Sequence, residues 1–494
     1  MSVVNQMRGA VRGEVLTRRP HSAWVAALTL AITCGAQFVV VIDETIVNVA
    51  LPSIGRELSF GTASLAWVVD AYMLLFGGFL LLGGRCADLF GRLRMFRIGL
   101  ALFAAASLLA GLADSPELLV VARAIQGFGG ALLSPAALSI LVVTFSTEHE
   151  RRRALGLWGG LIGIAGVSGV ILGGVITDTV GWQWIFFVNV PIAIVLGVLT
   201  LLLPNRGLAA PERGGRLNPI GATLVTGGLL LLIYTVINTS HRSWDDPVTI
   251  AGLAGSAALL TTFVTYELRA RNPLIRLSLL AHRPVAVANI LTMLAASALY
   301  GMFFFLTLYM QQVHQWSPLR TGWSWAPFGL AIALFTGVAI KLLPRVGSRA
   351  LVVTGLVLCG AGQFLLLRTT VTGSYSAELL PALLLCGTGL GLALVPNTVT
   401  AVTGIAASEA GAASGILNTA QQVGGAVGLA VLATLATRRF ASEQAAGATP
   451  ADAMVSGFHH GFTVMIVLTG VAVLVALAGP TVRGRVDVTT IQGA

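Results

Sequence analysis

Charge is what this 494-residue chain has least of. Asp, Glu, Lys and Arg make up 10% of it, against about 25% in soluble domains, and 56% is hydrophobic. A chain so poor in charge cannot clothe a water-facing surface of its size. That excludes a soluble enzyme or scaffold and indicates a membrane protein crossing the bilayer many times. Lysine is almost missing: of 30 basic residues only Lys341 is a lysine. No G-x-x-x-x-G-K-[ST] phosphate loop occurs, so the chain has no ATP site of its own. Cysteine is scarce, and Cys34, Cys86, Cys359 and Cys386 lack metal-ligand spacing. No structural disulfide, no metal and no cofactor are expected. No stretch offers a soluble domain, and no nucleophile–base pair or metal set supports an enzyme. His459 and His460 have no companions at ligand spacing and read as interfacial residues.

What is present is apolar sequence in long runs. A span needs about 20 apolar residues, and fourteen candidates meet that rule: 24–48, 62–83, 95–113, 117–144, 154–176, 183–203, 218–238, 247–267, 285–311, 321–342, 350–369, 377–400, 411–436 and 458–479. The first follows Arg18 and Arg19 as a signal peptide would, but it is too long and lacks a small-residue cleavage site. It reads as a retained helix.

The net charge of +10 raises nucleic acid as a partner, and the placement of the charges removes it. With the N-terminus in the cytoplasm, 23 of the 30 basic residues fall in cytoplasmic segments, six fall outside, and Arg123 lies within a span. Such a loop-by-loop bias places both termini in the cytoplasm and turns the basic face toward anionic lipid. Arginine in place of lysine, with abundant Ala, Gly and Val, suggests a GC-rich bacterial genome and hence the bacterial cytoplasmic membrane.

Two charged loops echo each other. Gly84-Arg85-Cys86-Ala87-Asp88-Leu89-Phe90-Gly91-Arg92-Leu93-Arg94 joins spans 2 and 3. Gly84 and Gly91 suit a tight turn, and Asp88 is placed to cap the incoming helix or pair with Arg92. Pro344-Arg345-Val346-Gly347-Ser348-Arg349 repeats the pattern after span 10, with Pro344 where Asp88 would stand. Span 10 then corresponds to span 2, which makes spans 1–6 and 9–14 two six-helix bundles and spans 7–8 an inserted pair. The expected organisation is a tail over 1–23, a bundle over 24–204, the inserted pair with its connections over 205–283, a second bundle over 284–480 and a tail over 481–494.

Three ionisable residues stand in the spans of the first bundle. Counting about 1.5 Å per residue from the outer ends puts Asp43 roughly 13 Å, Asp70 about 12 Å and Arg123 roughly 10 Å deep. Charge at that depth is costly unless paired or hydrated, and such residues are candidates for function. An acid whose hydration and pairing change between two conformations can load and release a proton. The alternative is a static ion pair that only ties helices together. Glu44 points about 100° away from Asp43 and is either a second acid or a boundary residue. Glu409 reads as a helix-capping acid at the start of span 13.

The G-x-x-x-D-x-x-G-R-x-R loop resembles that between helices 2 and 3 of the major facilitator superfamily. Leu119 to Gly129, with Arg123, Gln126 and Gly127, matches its l-x-x-x-R-x-x-q-G-x-g motif. Span 5 resembles the antiporter motif g-x-x-x-G-P-x-x-G-G through Gly166, Gly169, Gly173 and Gly174, with Val170 where the proline usually follows. Its Gly159/Gly163 and Gly169/Gly173 pairs would give helices a flat contact face. With Asp43-x-Thr45-Ile46-Val47-Asn48-Val49-Ala50-Leu51-Pro52, Ser317 to Gly322 and Gly411 to Asn418, the whole chain resembles the fourteen-helix drug:proton antiporters of that superfamily.

The resemblance implies an all-α membrane fold that rocks between inward and outward states, exchanging external protons for a cytoplasmic, amphipathic or cationic compound. Protons, that compound and membrane lipid would be its partners, and it would act as a monomer. Asp43, Asp70, Arg123 and Glu44 are the candidates for proton coupling. Gly84, Asp88, Gly91, Arg92 and Arg94 would form the switch loop. Gln37, Tyr300, Phe304, Gln311, Trp325, Asn397, Asn418, Gln421 and Gln422 would line the substrate cavity, where aromatics and sparse amides suit an apolar, partly cationic ligand. A narrower exporter or uniporter of a lipid, a peptide or a self-made antibiotic is the alternative.

Overall fold

The computed structural model of the chain describes residues 23–145, 147–203, 218–239, 242–270, 273–274, 277–405 and 410–482. Among these, the structure is helical with no strand. Fourteen helices are long and apolar enough to cross a membrane: α1 Trp24–Glu57, α2 Trp67–Phe90, α3 Arg92–Gly111, α4 Pro116–Thr144, α5 Arg153–Thr179, α6 Trp184–Leu201, α7 Pro219–Asn238, α8 Pro247–Arg269, α9 Arg283–Val313, α10 Pro318–Val346, α11 Ser348–Leu366, α12 Tyr375–Val402, α13 Ala413–Ala445 and α14 Pro450–Ala478.

Local chemistry starts several of them. Proline opens α4, α7, α8, α10 and α14, where its missing N–H is no loss. Asn218, Asp246, Ser317 and Thr449 stand just before four of these and accept from Gly221, Val248, Arg320 and Asp452 backbone N–H groups. Helices on the periphery turn large apolar side chains outward, as α6 does with Ile194, Val195, Val198 and Leu201. Such a band suits hydrocarbon and would be a liability in water.

The two six-helix sets share one pattern of neighbours. In the first, α1 packs on α4, α5 and α6, α2 on α4, and α3 on α4 and α6. In the second, α9 packs on α12, α13 and α14, α10 on α12, and α11 on α12 and α14. Each contact in one set has its counterpart eight helices later. The sets meet through α2 against α13, α5 against α10 and α1 against α9. The first two seams exchange under the same correspondence, which is the signature of a pseudo-twofold axis between repeats.

Helix α7 of the inserted pair lies along the α2–α13 seam and touches both sets. A Cβ on Gly78 of α2 would come within 2.3 Å of the Thr226 hydroxyl on α7. Thr434 Oγ1 of α13 donates to the Val236 carbonyl, and the Arg438 guanidinium donates to the carbonyls of Thr239 at 2.6 Å and Arg242 at 2.5 Å.

The loop between α2 and α3 differs from the expected turn. Helix α2 continues through Gly84 to Phe90, and the chain reverses at Gly91 alone, whose φ is +96°. Gly347, between α10 and α11, has φ +90°, so the echo between the loops is an echo of backbone conformation. Gly84, expected in a tight turn, is helical; the glycine of close approach is Gly83, where a Cβ would lie 2.0 Å from the Ala131 carbonyl oxygen of α4. At Gly84 a Cβ would meet Pro135 at an ordinary 3.7 Å. Asp88 does not cap α3, which has no side-chain cap at Gly91; it pairs with Arg92 at 3.6 Å, one turn on. Gly91→Ala is therefore expected to cost about 1–3 kcal/mol, and Gly84→Ala almost nothing. Thermal melting of the two variants in detergent checks this, and equal losses would refute it.

Candidate functional site

Two carboxylates on successive residues of α1 enter different networks. Asp43 is wholly buried. Its Oδ2 accepts from Arg123 Nη1 of α4 at 2.5 Å, and its Oδ1 accepts from Gln126 Nε2 at 2.6 Å and from Asn189 Nδ2 of α6 at 2.8 Å. Arg123 also donates to the Val68 carbonyl of α2 at 2.9 Å and lies over the Tyr72 ring, 4.4 Å from its centroid. Gln126 reaches Ser107 of α3 at 2.8 Å. One ion pair therefore draws α1, α2, α3, α4 and α6 together at the heart of the first set. The depth estimate from sequence foreshadowed the Asp43–Arg123 meeting, and Gln126 stood in the motif matched around Arg123; Asn189 had no comparable signal, because neutral amides are common in helices.

Glu44 faces the other way. Its Oε1 accepts from the Tyr300 hydroxyl of α9 and, at 3.2 Å, from Gln422 Nε2 of α13. Gln421 lies beside the same tyrosine. Glu44 is thus neither lipid-facing nor loose at a boundary: it bridges the two sets of helices. Asp70 joins neither network. It is fully buried, and neither carboxylate oxygen has a hydrogen-bond partner among the described residues. By helical phase it shares a face of α2 with Gly77 and Leu81, which lie against Gln422 and Gly415 of α13. An uncompensated buried polar group is costly, so Asp70→Leu is expected to raise the melting temperature in detergent. A fall would show that Asp70 holds a partner essential to the fold.

The remaining cavity candidates separate into groups. Gln37, half-buried, accepts from Ser134 of α4 at 2.7 Å. Asn418 is exposed on α13, one turn from Gln421 and Gln422. Gln311 donates to the Val49 carbonyl of α1 at 2.8 Å, closing one set against the other. Phe304 and Trp325 are packed inside rather than lining an open surface: Phe304 lies edge-on to Phe305, and Trp325 lies 4.4 Å from Phe303, centroid to centroid. Asn397 ties α12 to α9 through the Ala288 carbonyl and Thr292. Glu409 lies outside the described residues.

The glycine stripe of α5 is split. A Cβ on Gly169 would sit 2.0 Å from Thr45 Oγ1, and one on Gly173 2.5 Å from the Ile46 carbonyl oxygen, so both seat α5 on α1. Gly174 faces the other set, 2.5 Å from the Pro318 carbonyl oxygen by the same measure, and the Val170 carbonyl lies against Gly322. A Cβ on Gly166 would meet nothing within 4 Å among the described residues, so it seats α5 on no described neighbour. Outside the spans, the half-buried His314 is held below the usual imidazole range by burial, so at pH 7 it is neutral.

Two repeated six-helix sets, polar groups at their common seam and an apolar band around both define a multi-pass membrane transporter. The chain belongs to the Major Facilitator Superfamily, whose family model matches residues 33–429. It is 39% identical over 462 residues to the puromycin resistance protein pur8 of Streptomyces alboniger, covering 93% of this chain and 90% of that one. It is 37% identical to the cephamycin export protein CmcT of Amycolatopsis lactamdurans over 98% and 99% of the two chains. It is 36% identical to a lincomycin resistance protein of Streptomyces lincolnensis over 84% and 85%. Among solved structures, a bacterial homologue of the lysosomal transporter Spinster, inward-facing and unoccupied, superposes with TM-score 0.67 at 15% identity, covering 92% of this chain and 97% of that one. The xylose transporter XylE from E. coli gives 0.61 at 14%, covering 94% and 99%. These two likenesses concern the fold. These relatives are named for antibiotic resistance or export, and the chain, as a member of the superfamily, is a transporter and not an enzyme.

Proposed function

We propose that this protein is a proton-coupled antiporter that exports an amphipathic compound from the cytoplasm of a bacterium, with both termini inside. The observation that carries the reading is the buried Asp43–Arg123 pair with its two amide donors. A carboxylate paired this way changes its hold on a proton when the pair loosens or meets water. It sits on α1, which touches both the first set and α9 of the second, so relative motion of the sets reaches it. Such motion would alternate access to the seam. Asp70, buried with no hydrogen-bond partner among the described residues, is the second candidate for the same task.

The energy suffices: a proton crossing 100 mV releases about 2.3 kcal/mol, which sustains roughly a fifty-fold gradient of a neutral cargo. The test is purified protein in liposomes with an imposed pH gradient and a lipophilic fluorescent cation. Uptake that follows the gradient, stops with a protonophore and is matched by a proton flux in the opposite direction is the expected result. Gradient-independent equilibration would replace antiport with uniport.

A narrow cargo is the second reading. Relatives named for single antibiotics, among them the tetracenomycin C resistance and export protein of Streptomyces glaucescens at 33% identity, favour it. Competition among chemically unrelated compounds in the same liposomes separates the two.

A further inference from the structure

We propose that Glu44, and not the neighbouring Asp43, is the carboxylate that receives the cargo, and that the cargo presents to it a protonated amine. This rests on the exporter reading above and deepens it.

Hydrogen-bond capacity separates the two acids. Asp43 is saturated, with both oxygens engaged by three donors, one of them cationic, and no exposed surface. Glu44 spends one oxygen on Tyr300 and Gln422, and its Oε2 has no partner among the described residues. No described cation forms an ion pair with it, since Arg123 is committed to Asp43. Beside it, the Oε1 of Gln422 is an acceptor without a donor on a side chain only 5% exposed. The site therefore offers a carboxylate with an open oxygen and a second free acceptor. The ligand chemistry that complements two such acceptors is an ammonium, which carries several N–H donors, one positive charge and no acceptor. A carboxylate or phosphate would bring like charge and further acceptors to them.

The burial pattern supplies the way in. Along α1, Gln37, Val41 and Glu44 share one face and are each only half-buried, and beyond Thr45 the helix closes: residues 46–52 are all buried. On α13, Asn418 is exposed one turn before Gln421 and Gln422, toward the same end. That end carries the arginine-rich loop after α2. Beyond Glu44 the seam is shut by the Gln311–Val49 hydrogen bond and by Gly174 against Pro318. Glu44 is thus the floor of an opening that leads to the basic face, the face assigned above to the cytoplasm.

The test is equilibrium binding to the purified full-length chain, with dansylcadaverine as the amine probe and its N-acetyl derivative as the neutral, shape-matched control. Wild type is expected to bind the amine about tenfold or more tightly than the neutral probe. Glu44→Gln should bring that ratio to about one while leaving the neutral probe's affinity in place. Retained affinity for the neutral probe also shows that the variant is folded. Gln422→Leu should lower the ratio part of the way. Equal binding of the two probes by wild type, or a preference that survives Glu44→Gln, would each overturn the assignment. Binding needs no proton gradient, so failure here is distinguishable from failure of the antiport reading, which the liposome assay reports separately.

Discussion

Asp43→Asn should abolish gradient-driven export. The substitution keeps shape and one acceptor but leaves the guanidinium of Arg123, 1% exposed, without a counter-charge. Removing one partner of a buried pair costs about 3–5 kcal/mol, so a loss of transport of at least about a hundredfold is expected. That loss alone would not separate coupling from instability. The double variant Asp43→Asn/Arg123→Gln does so, because replacing both members of a buried pair is far less costly than removing one. Its melting temperature in detergent should recover toward wild type, while transport under an imposed pH gradient stays lost. Recovery of transport along with stability would reduce the pair to a structural tie among α1, α4 and α6.

Gly174→Leu should stop the cycle by a different route. Even a Cβ at this position would come within 2.5 Å of the Pro318 carbonyl oxygen and 3.2 Å of Gly322 Cα, and backbone cannot yield as a flexible side chain can. A leucine would hold α5 away from α10 at the end of the seam opposite the arginine-rich loops. Each set keeps its own packing, so the chain should fold, yet transport should fall about tenfold or more because overpacking at backbone contact is not relieved by rotamer change. Thr321, fully buried beside this contact, offers the readout. With Cys34, Cys86, Cys359 and Cys386 replaced, Thr321→Cys should resist a water-soluble maleimide in the parent and react with it when Gly174→Leu is added. Equal reactivity would mean that the seam does not open. Gly166→Leu is the control: with nothing within 4 Å of its Cβ, it should leave both transport and labelling near those of the parent.

The chain's class and course were legible from composition and periodicity, since crossing a bilayer demands long apolar runs that nothing else explains. All fourteen expected spans coincide with helices, although α1 runs on to Glu57 and α2 to Phe90, because a helix need not stop where its apolar run does. The pairing of Asp43 with Arg123 could be anticipated because a lone charge at that depth is too costly to leave unmatched. Arg345 to Arg349 pointed to the repeat, and the left-handed Gly91 and Gly347 carry it in the backbone.

What the sequence left open turned on which way neighbouring residues face. Asp43 and Glu44 are adjacent acids of similar chemistry, yet a 100° step around one helix commits the first to its own set and the second to Tyr300 and Gln422 across the seam. The same step separates Gly173, seated on α1, from Gly174, which meets the other set, and Gly83, pressed on α4, from Gly84, which is not. Spacing along one helix determined that these residues lie near one another. Only the packing of the second set against the first decided which of them bear on motion between the two, because contacts across a seam depend on partners more than a hundred positions away that no local pattern encodes.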